Sequence, residues 1–330
     1  MKKPYKMDPN YLQNYMRNVF GESYTIGNII ELHGGAQKTV YKIDCINGFS
    51  CVLYIWDLVD NFFQKEKLGE ESDERSFGSD LFYLNNKYLS EKGINTPFLY
   101  DLKTDRNIYS FDYGLIQYIE GHKLESFLKN YEVTAERKLM QRVGDLITCM
   151  HSEKRNEFGC LESKAINNGK CHLLQLKKAI KDLSYTSQYD TSIQYNHDKI
   201  LSILNELESK IKLRNEYRFI HWELGPDHIL VNAEKEPFII DIEGAKFFDV
   251  EYEHAFLKLR FGNFYRYFED KDYDLDPDRM CFYQFYHHIS LTSGGLKLLN
   301  RGFPNQKFAK ELARYHTDCV LNLIKCYSQR

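Results

Sequence analysis

The sequence predicts an α+β protein of two lobes, an antiparallel strand lobe followed by a mainly helical one. Three observations lead there. Short apolar runs broken by turns fill the stretch from Tyr24 to Ile119, apolar residues recur with a helical period from Lys123 onward, and Glu120-Gly121 separates the two patterns. A length of 330 residues sets a prior of about two domains. The boundary is expected near residue 121, with a strand lobe over 1–121 and a helical lobe over 122–330.

The elements follow in order. Tyr11, Tyr15, Met16 and Phe20 are spaced for one face of a short helix over 8–20. Ile26–Leu32, Thr39–Cys45 and Ser50–Trp56 read as three strands, and Asn47-Gly48 between the last two is a hairpin signal with two positive-φ turn positions. A helix over 77–92 carries Leu81, Leu84, Tyr88 and Leu89 on one side, and Pro97–Leu102 and Tyr109–Ile119 complete a five-stranded sheet. In the second half Lys123–Leu128, Glu136–Ser152 and His197–Leu213 read as helices. The polar stretch 156–192, with Gly159 and Asn167-Asn168-Gly169, reads as an insertion holding one helix around Leu173–Leu183. Phe238–Ile242 has the length of a strand, and helices follow from Asp249.

Composition narrows the function classes. With 43% hydrophobic residues the chain can bury a core, which excludes a disordered protein. A net charge of −3 leaves no global basic field for nucleic acid. Aromatic residues reach 15%, and core packing is their expected use. The eight cysteines are scattered without a C-x-x-C pair, no apolar run follows the basic amino end, and no 18-residue apolar stretch occurs. A reduced, cytoplasmic protein that does not span a membrane is the expectation; the oligomeric state is left open.

Unusual chemistry concentrates in His221-Trp-Glu-Leu-Gly-Pro-Asp-His228 and Asp241-Ile-Glu243. Gly225-Pro226 makes the first a tight loop, placing Glu223, Asp227 and two histidines beside the apolar strand Ile229-Leu-Val. Asp241 and Glu243 at i, i+2 are expected on one face of a strand end, where two carboxylates repel unless a cation sits between them. Hard oxygen donors of this kind suit Mg²⁺, which takes one or two carboxylates plus phosphate oxygens. A solvated strand end without a ligand is the alternative.

The spacing His-x-Glu-x-x-x-x-His, about 12 residues, then Asp-x-Glu resembles the catalytic and metal loops of the aminoglycoside phosphotransferase and choline kinase group. Those proteins share a protein kinase-like fold and usually carry His-x-Asp-x-x-x-x-Asn followed by Asp-x-Asp or Asp-x-Glu. The resemblance extends over residues 24–262. Tyr113-Gly-Leu-Ile-Gln-Tyr-Ile-Glu-Gly121 is similar to the family's hinge strand, Cys149-Met-His151 to a helix end in Leu-His, and Phe248-Asp249 through His254 to the segment after the metal loop. The resemblance implies a bilobal kinase-like fold and an Mg²⁺-dependent transfer of the γ-phosphoryl group of ATP or GTP to a hydroxyl of a small polar molecule, a metabolite or antibiotic.

Residue by residue, the resemblance makes Asp241 and Glu243 metal ligands, with His228 at the second metal position, and puts Glu223 at the base position and His221 at the head of the catalytic loop. His33-Gly34-Gly35-Ala-Gln37-Lys38-Thr39 is similar to the phosphate-covering turn, although it is not a Walker P-loop. Backbone groups of Gln117, Tyr118 and Ile119 would meet the base of the nucleotide. Trp222 either packs under the loop or borders the acceptor pocket, and Asp227 is a candidate for the acceptor side. Asp270 and Asp272 lie in an acidic run, 269–278, that reads as a solvated loop or as a wall for a cationic acceptor.

Three departures stand out. Glu223 replaces the family's Asp, His228 replaces its Asn, and Tyr54 stands where a Lys or Arg normally meets the phosphates. Lys38 is the candidate substitute for that cation, and Asp80 on the following helix is the expected acidic partner. These departures also allow a catalytically silent module that binds a nucleotide or a partner. His287-His288 is expected to be structural, and Asp249 to cap a helix.

Overall fold

The computed structural model describes residues 6–32, 35–69, 75–128, 133–162, 170–269 and 274–327. Helix α1 (Pro9–Phe20) precedes five strands, β1 (Ile26–Glu31), β2 (Thr39–Cys45), β3 (Ser50–Trp56), β4 (Leu99–Lys103) and β5 (Asp112–Gln117), with α2 (Ser79–Glu91) between β3 and β4. All neighbours pair antiparallel in the order β1-β2-β3-β5-β4. The central strand β3 is buried on both faces. Leu53 and Ile55 pack under α1 against Leu12 and Met16, while Val52, Tyr54 and Trp56 face Phe82 of α2 and the second lobe. This two-sided burial explains why β3 reads as an unbroken apolar run rather than an alternating one.

The β2–β3 hairpin forms where expected, but with a different turn. Only Gly48 has positive φ, at 87°, and its N–H donates to the Cys45 carbonyl. A type I turn followed by one left-handed residue replaces the double positive-φ turn, so a single glycine suffices.

The second lobe contains α3 (Val133–Ser152), α4 (His172–Thr186), α5 (His197–Ser209), α6 (Val250–Phe261), α7 (Pro277–Asn300) and α8 (Gln306–Tyr327). Helix α4 is the one expected in the polar insertion, and a further turn follows at Thr191–Tyr195. Two small sheets hold the functional loops. Strand β6 (Gly121–Lys123) pairs with β9 (Ile229–Asn232), which pairs with β10 (Pro237–Ile239); β7 (Lys154–Arg155), β8 (Tyr217–Ile220) and β11 (Lys246–Phe248) form the other. Gly121 lies so close to β9 that a Cβ there would meet the Val231 carbonyl oxygen at 2.0 Å. Only glycine permits this pairing at the junction of the lobes.

The aromatic excess is used in packing. Tyr11, Tyr15, Tyr109 and Tyr113 cluster under α1, and Trp222, Phe248, Tyr252 and Tyr283 cluster behind the second lobe's loops. Asp249 departs from expectation: it stands at the start of α6, yet its side chain accepts no cap bond and is taken by Arg279 and Tyr283. Burying that carboxylate requires a fixed cation, which Arg279 supplies. His287 Nε2 donates to the Tyr252 carbonyl and His288 bonds His316, so both are satisfied core histidines. Among the described residues no helix is long and apolar enough to cross a membrane.

Candidate active site

A cleft opens between the lobes, lined by Gln37, Lys38, Ser76, Phe77, His221, Trp222, Glu223, Asp241, Glu243 and Gly244. Seven of these ten were singled out from sequence.

Asp241 and Glu243 come together, though not by strand alternation. β10 ends at Ile239, Asp241 takes a left-handed conformation at φ 65°, and Ile242–Gly244 forms a 3₁₀ turn. Reversal of the chain, rather than pleating, aims both carboxylates at one point. From the first lobe, the α2 side chain Asn85 holds this turn by donating to the carbonyls of Ile242, at 2.8 Å, and Ala245, at 3.0 Å.

The cation at that point belongs to the chain. Lys38 Nζ lies 2.6 Å from Asp241 Oδ1 and 2.6 Å from Glu243 Oε1. Lys38 directly precedes β2, and Val40 pairs with Tyr54. Opposed residues share a face, so Lys38, Tyr54 and Trp56 all look onto the cleft. The ammonium sits 4.8 Å over the Tyr54 ring, and the Trp56 indole donates to Glu243 Oε1 at 2.9 Å. Burial works against the Lys38 charge, but the two carboxylates outweigh it and hold its pKa above the ordinary lysine value. Burial likewise raises Asp241, and the ammonium outweighs it, leaving that carboxyl below the usual range. Burial pushes the Tyr54 phenol up to about 12, so it remains a neutral seat for the ammonium.

Asp80 is not the partner of this cation. It forms a two-bond ion pair with Arg75, at 2.8 and 2.9 Å, and its side chain is half exposed. The position facing inward on α2 is Asn85, which bonds carbonyls instead.

Glu223 is exposed at the cleft. Its loop is braced from below. The buried Glu253 carboxylate accepts the His221 N–H at 3.0 Å and also takes the backbone amides of Trp222 and Leu224. Trp222 has φ 86°, a strained value for a bulky side chain, and its ring stacks on Tyr252 with centroids 4.2 Å apart. His221 is a strut rather than a proton carrier: it is 1% exposed, its Nε2 donates to the Ile240 carbonyl at 2.9 Å, and burial lowers its pKa. That bond ties the loop of Glu223 to the strand leading to Asp241.

His228 Nδ1 donates to the Glu223 carbonyl at 2.8 Å, which leaves Nε2 facing Asp241 Oδ2 at 3.5 Å. Asp227 lies outside the cleft lining, held by Arg260 at 2.6 Å, so the structure spends it on bracing the loop rather than on the acceptor. Gln117 ends β5, its N–H donating to the Phe98 carbonyl, and Tyr118 and Ile119 form the link to β6. Gly35 stands in the turn before Lys38, whereas Gly34, Asp270 and Asp272 lie outside the described residues. Of the acidic run, Asp276 caps α7 through the amides of Asp278 and Arg279.

Reasoning from sequence missed Trp56, Phe77, Asn85 and Glu253. Trp56 was the accessible one, because it lies two residues from Tyr54 on the same strand face. Glu253 carries a weaker sign, the second of two carboxylates in the first turn of α6.

Two carboxylate oxygens converge on a single positive charge, and the second Asp241 oxygen lies beside a histidine nitrogen. Hard oxygens converging in this way fit Mg²⁺. Among the described residues no group of three His, Cys, Asp or Glu side chains forms a complete ligand set, so phosphate oxygens would have to supply the remainder.

With this geometry in place, the comparisons give its class. The model of the phosphotransferase enzyme family matches residues 85–283, and the chain belongs to that family. Solved structures agree on the kinase-like fold. An aminoglycoside phosphotransferase, APH(4)-Ia, in a ternary complex with ADP and hygromycin B, superposes with a TM-score of 0.60 at 16% identity over 92% of this chain and 97% of that one. Choline kinase LicA from Streptococcus pneumoniae gives 0.64 at 12% identity, covering 95% and 98%. Spectinomycin phosphotransferase APH(9)-Ia, in complex with ADP and spectinomycin, gives 0.65 at 12%, covering 95% of each. A search of curated proteins finds no match.

Proposed function

We propose that the protein is a small-molecule phosphotransferase that moves the γ-phosphoryl group of ATP or GTP to a hydroxyl of a polar acceptor. The observation that carries this reading is the convergence of Lys38, Asp241 and Glu243 beside Glu223 in one interlobe cleft. Asp241 and Glu243 would hold Mg²⁺, which supplies charge neutralisation at the phosphates when bound. Lys38, whose ammonium bonds those same two carboxylates, would leave them to Mg²⁺ and turn to the phosphates, supplying the positive charge that position 54 lacks. Glu223 orients the acceptor hydroxyl and takes its proton, while an oxygen–phosphorus bond forms to the acceptor and the bond to the leaving diphosphate breaks. The longer side chain of Glu223 suits a base that reaches from a loop braced lower in the lobe by Glu253. The nucleotides and antibiotics bound by the similar structures support both substrates in kind, and a cationic or neutral acceptor is consistent with the exposed carboxylate.

Two variants test the reading. Glu223→Gln should lower kcat by about 10²–10⁴-fold, the usual contribution of a general base, with nucleotide affinity nearly unchanged. Asp241→Ala should remove transfer while the fold survives. The assay is a screen of aminoglycosides and amino alcohols with ATP or GTP, read by product mass. Nucleotide binding without transfer to any acceptor, unchanged in Glu223→Gln, would favour the silent module.

A further inference from the structure

The turn that carries Lys38 is tied to the far end of the second lobe. The Phe62 N–H donates to the Ala36 carbonyl, two residues from Lys38, at 2.9 Å, and Thr39 Oγ1 donates to Asp60 at 3.1 Å. The segment after β3 is thereby stitched to the turn. It is also stitched to the end of α7. Arg301 donates to the Phe62 carbonyl at 2.6 Å and forms a two-bond fork with Glu66, both at 2.8 Å. Phe62 meets Phe303 edge-on at 5.1 Å, and Ala36, Phe62 and Phe63 pack on Leu298, Phe303 and Ala309. Lys297 bridges Glu66, at 3.4 Å, to Asp182 of α4, at 2.8 Å.

We infer that Phe62, Glu66 and Arg301 form a clasp that positions the cleft-facing ammonium of Lys38 by holding its turn against the α7–α8 hairpin. A lysine on a central strand needs no such device, because the sheet fixes it. The backbone of a lysine on a turn is fixed only by what the turn is fastened to, and here that fastening runs from Ala36 through Phe62 to Arg301. Phe62, Glu66 and Arg301 are positioning residues that do not line the cleft. The forked geometry makes the pair stronger than an ordinary surface ion pair. Burial raises the Glu66 carboxyl, but its bonds to Arg301 and the charge of Lys297 outweigh that and bring it down to about 2, so the clasp stays charged across the working pH range.

The inference rests on the phosphotransferase reading for its ligand alone. Its test uses the full chain with two variants, the isosteric Glu66→Gln and Arg301→Met, together with Arg301→Lys as the conservative control. AMP-PNP affinity is measured by calorimetry. Hydrogen exchange is followed, without nucleotide, at Phe62 and at Leu32, whose N–H donates to the Val40 carbonyl and closes the base of the turn. Both variants should weaken AMP-PNP about tenfold, as when the competent arrangement falls to a tenth of the population, with Arg301→Lys losing less. Exchange at Leu32 and Phe62 should quicken, while β3 and β5 keep their protection. Unchanged affinity in both variants overturns the inference whatever the exchange shows. If the wild-type chain binds no AMP-PNP, the phosphotransferase reading fails and exchange decides alone: faster exchange at Leu32 supports the clasp, and unchanged exchange overturns it.

Discussion

Lys38 is the residue on which the site turns. Its ammonium neutralises two carboxylates that would otherwise face each other in the cleft, and it rests on the Tyr54 ring. Lys38→Met should therefore weaken AMP-PNP binding by the worth of a charge-assisted hydrogen bond, about 1.5–3 kcal/mol, and lower Tm as Asp241 and Glu243 lose their counter-charge. Adding Tyr54→Lys to that variant should restore much of both, since the register puts position 54 on the same face, opposite Val40. Calorimetry on the single and double variants checks this. Loss without recovery would mean that the ammonium must arrive from the turn. From sequence alone Lys38 could be proposed but not placed, because its partners lie 203 and 205 residues away. The expected partner, Asp80, failed for a local reason: Arg75 is closer and forks onto it.

At the scale of elements, the strands and long helices were legible because periodicity and turn residues report one chain segment at a time. The hairpin at Gly48, the helix in the insertion and the helices after Asp249 all stand where those signals put them. The Asp241 turn was not legible. The 3₁₀ turn that follows its left-handed φ is held by Asn85 of α2, a contact that no local pattern encodes. Gly121 gives an element-scale prediction. Gly121→Ala drives a methyl into the Val231 carbonyl, so β6 must leave β9 or both must shift. Overpacking of this kind costs about 1–3 kcal/mol, and this contact belongs at the upper end. The check is a urea titration, with the midpoint falling and the slope unchanged.

For the whole molecule, near-neutral composition conceals a set of buried histidines. His151, His254, His287, His288 and His316 are all buried with pKa values below the ordinary one, chiefly through desolvation; His287 falls to about 3 and His288 to about 4. The unfolded chain then binds protons that the folded chain refuses. Stability from these groups is complete above about pH 6.5 and is lost as the pH falls toward 4, each histidine contributing up to about 1.4 kcal/mol per pH unit. Tm should drop steeply over that interval, and less steeply in His287→Gln. Glu253 opposes this trend. Burial raises its pKa from 4.5 to about 7, so its contribution declines as the pH rises from about 4.5 to 7 and offsets part of the histidine gain. The five histidines outweigh the one carboxyl, so stability should rise from pH 4 and level off near neutrality, read by calorimetry from pH 4 to 9.

The clefts of most enzymes must be labelled before they can be watched. This chain has two tryptophans, and both are already in place: the Trp56 indole bonds the carboxylate that Lys38 neutralises, and Trp222 stacks at the foot of the loop bearing Glu223. Every indole chromophore in the protein therefore senses the charge state of the cleft. Its native emission is a built-in optical gauge, with Trp56 reporting from the Glu243 carboxylate and Trp222 from the foot of the Glu223 loop.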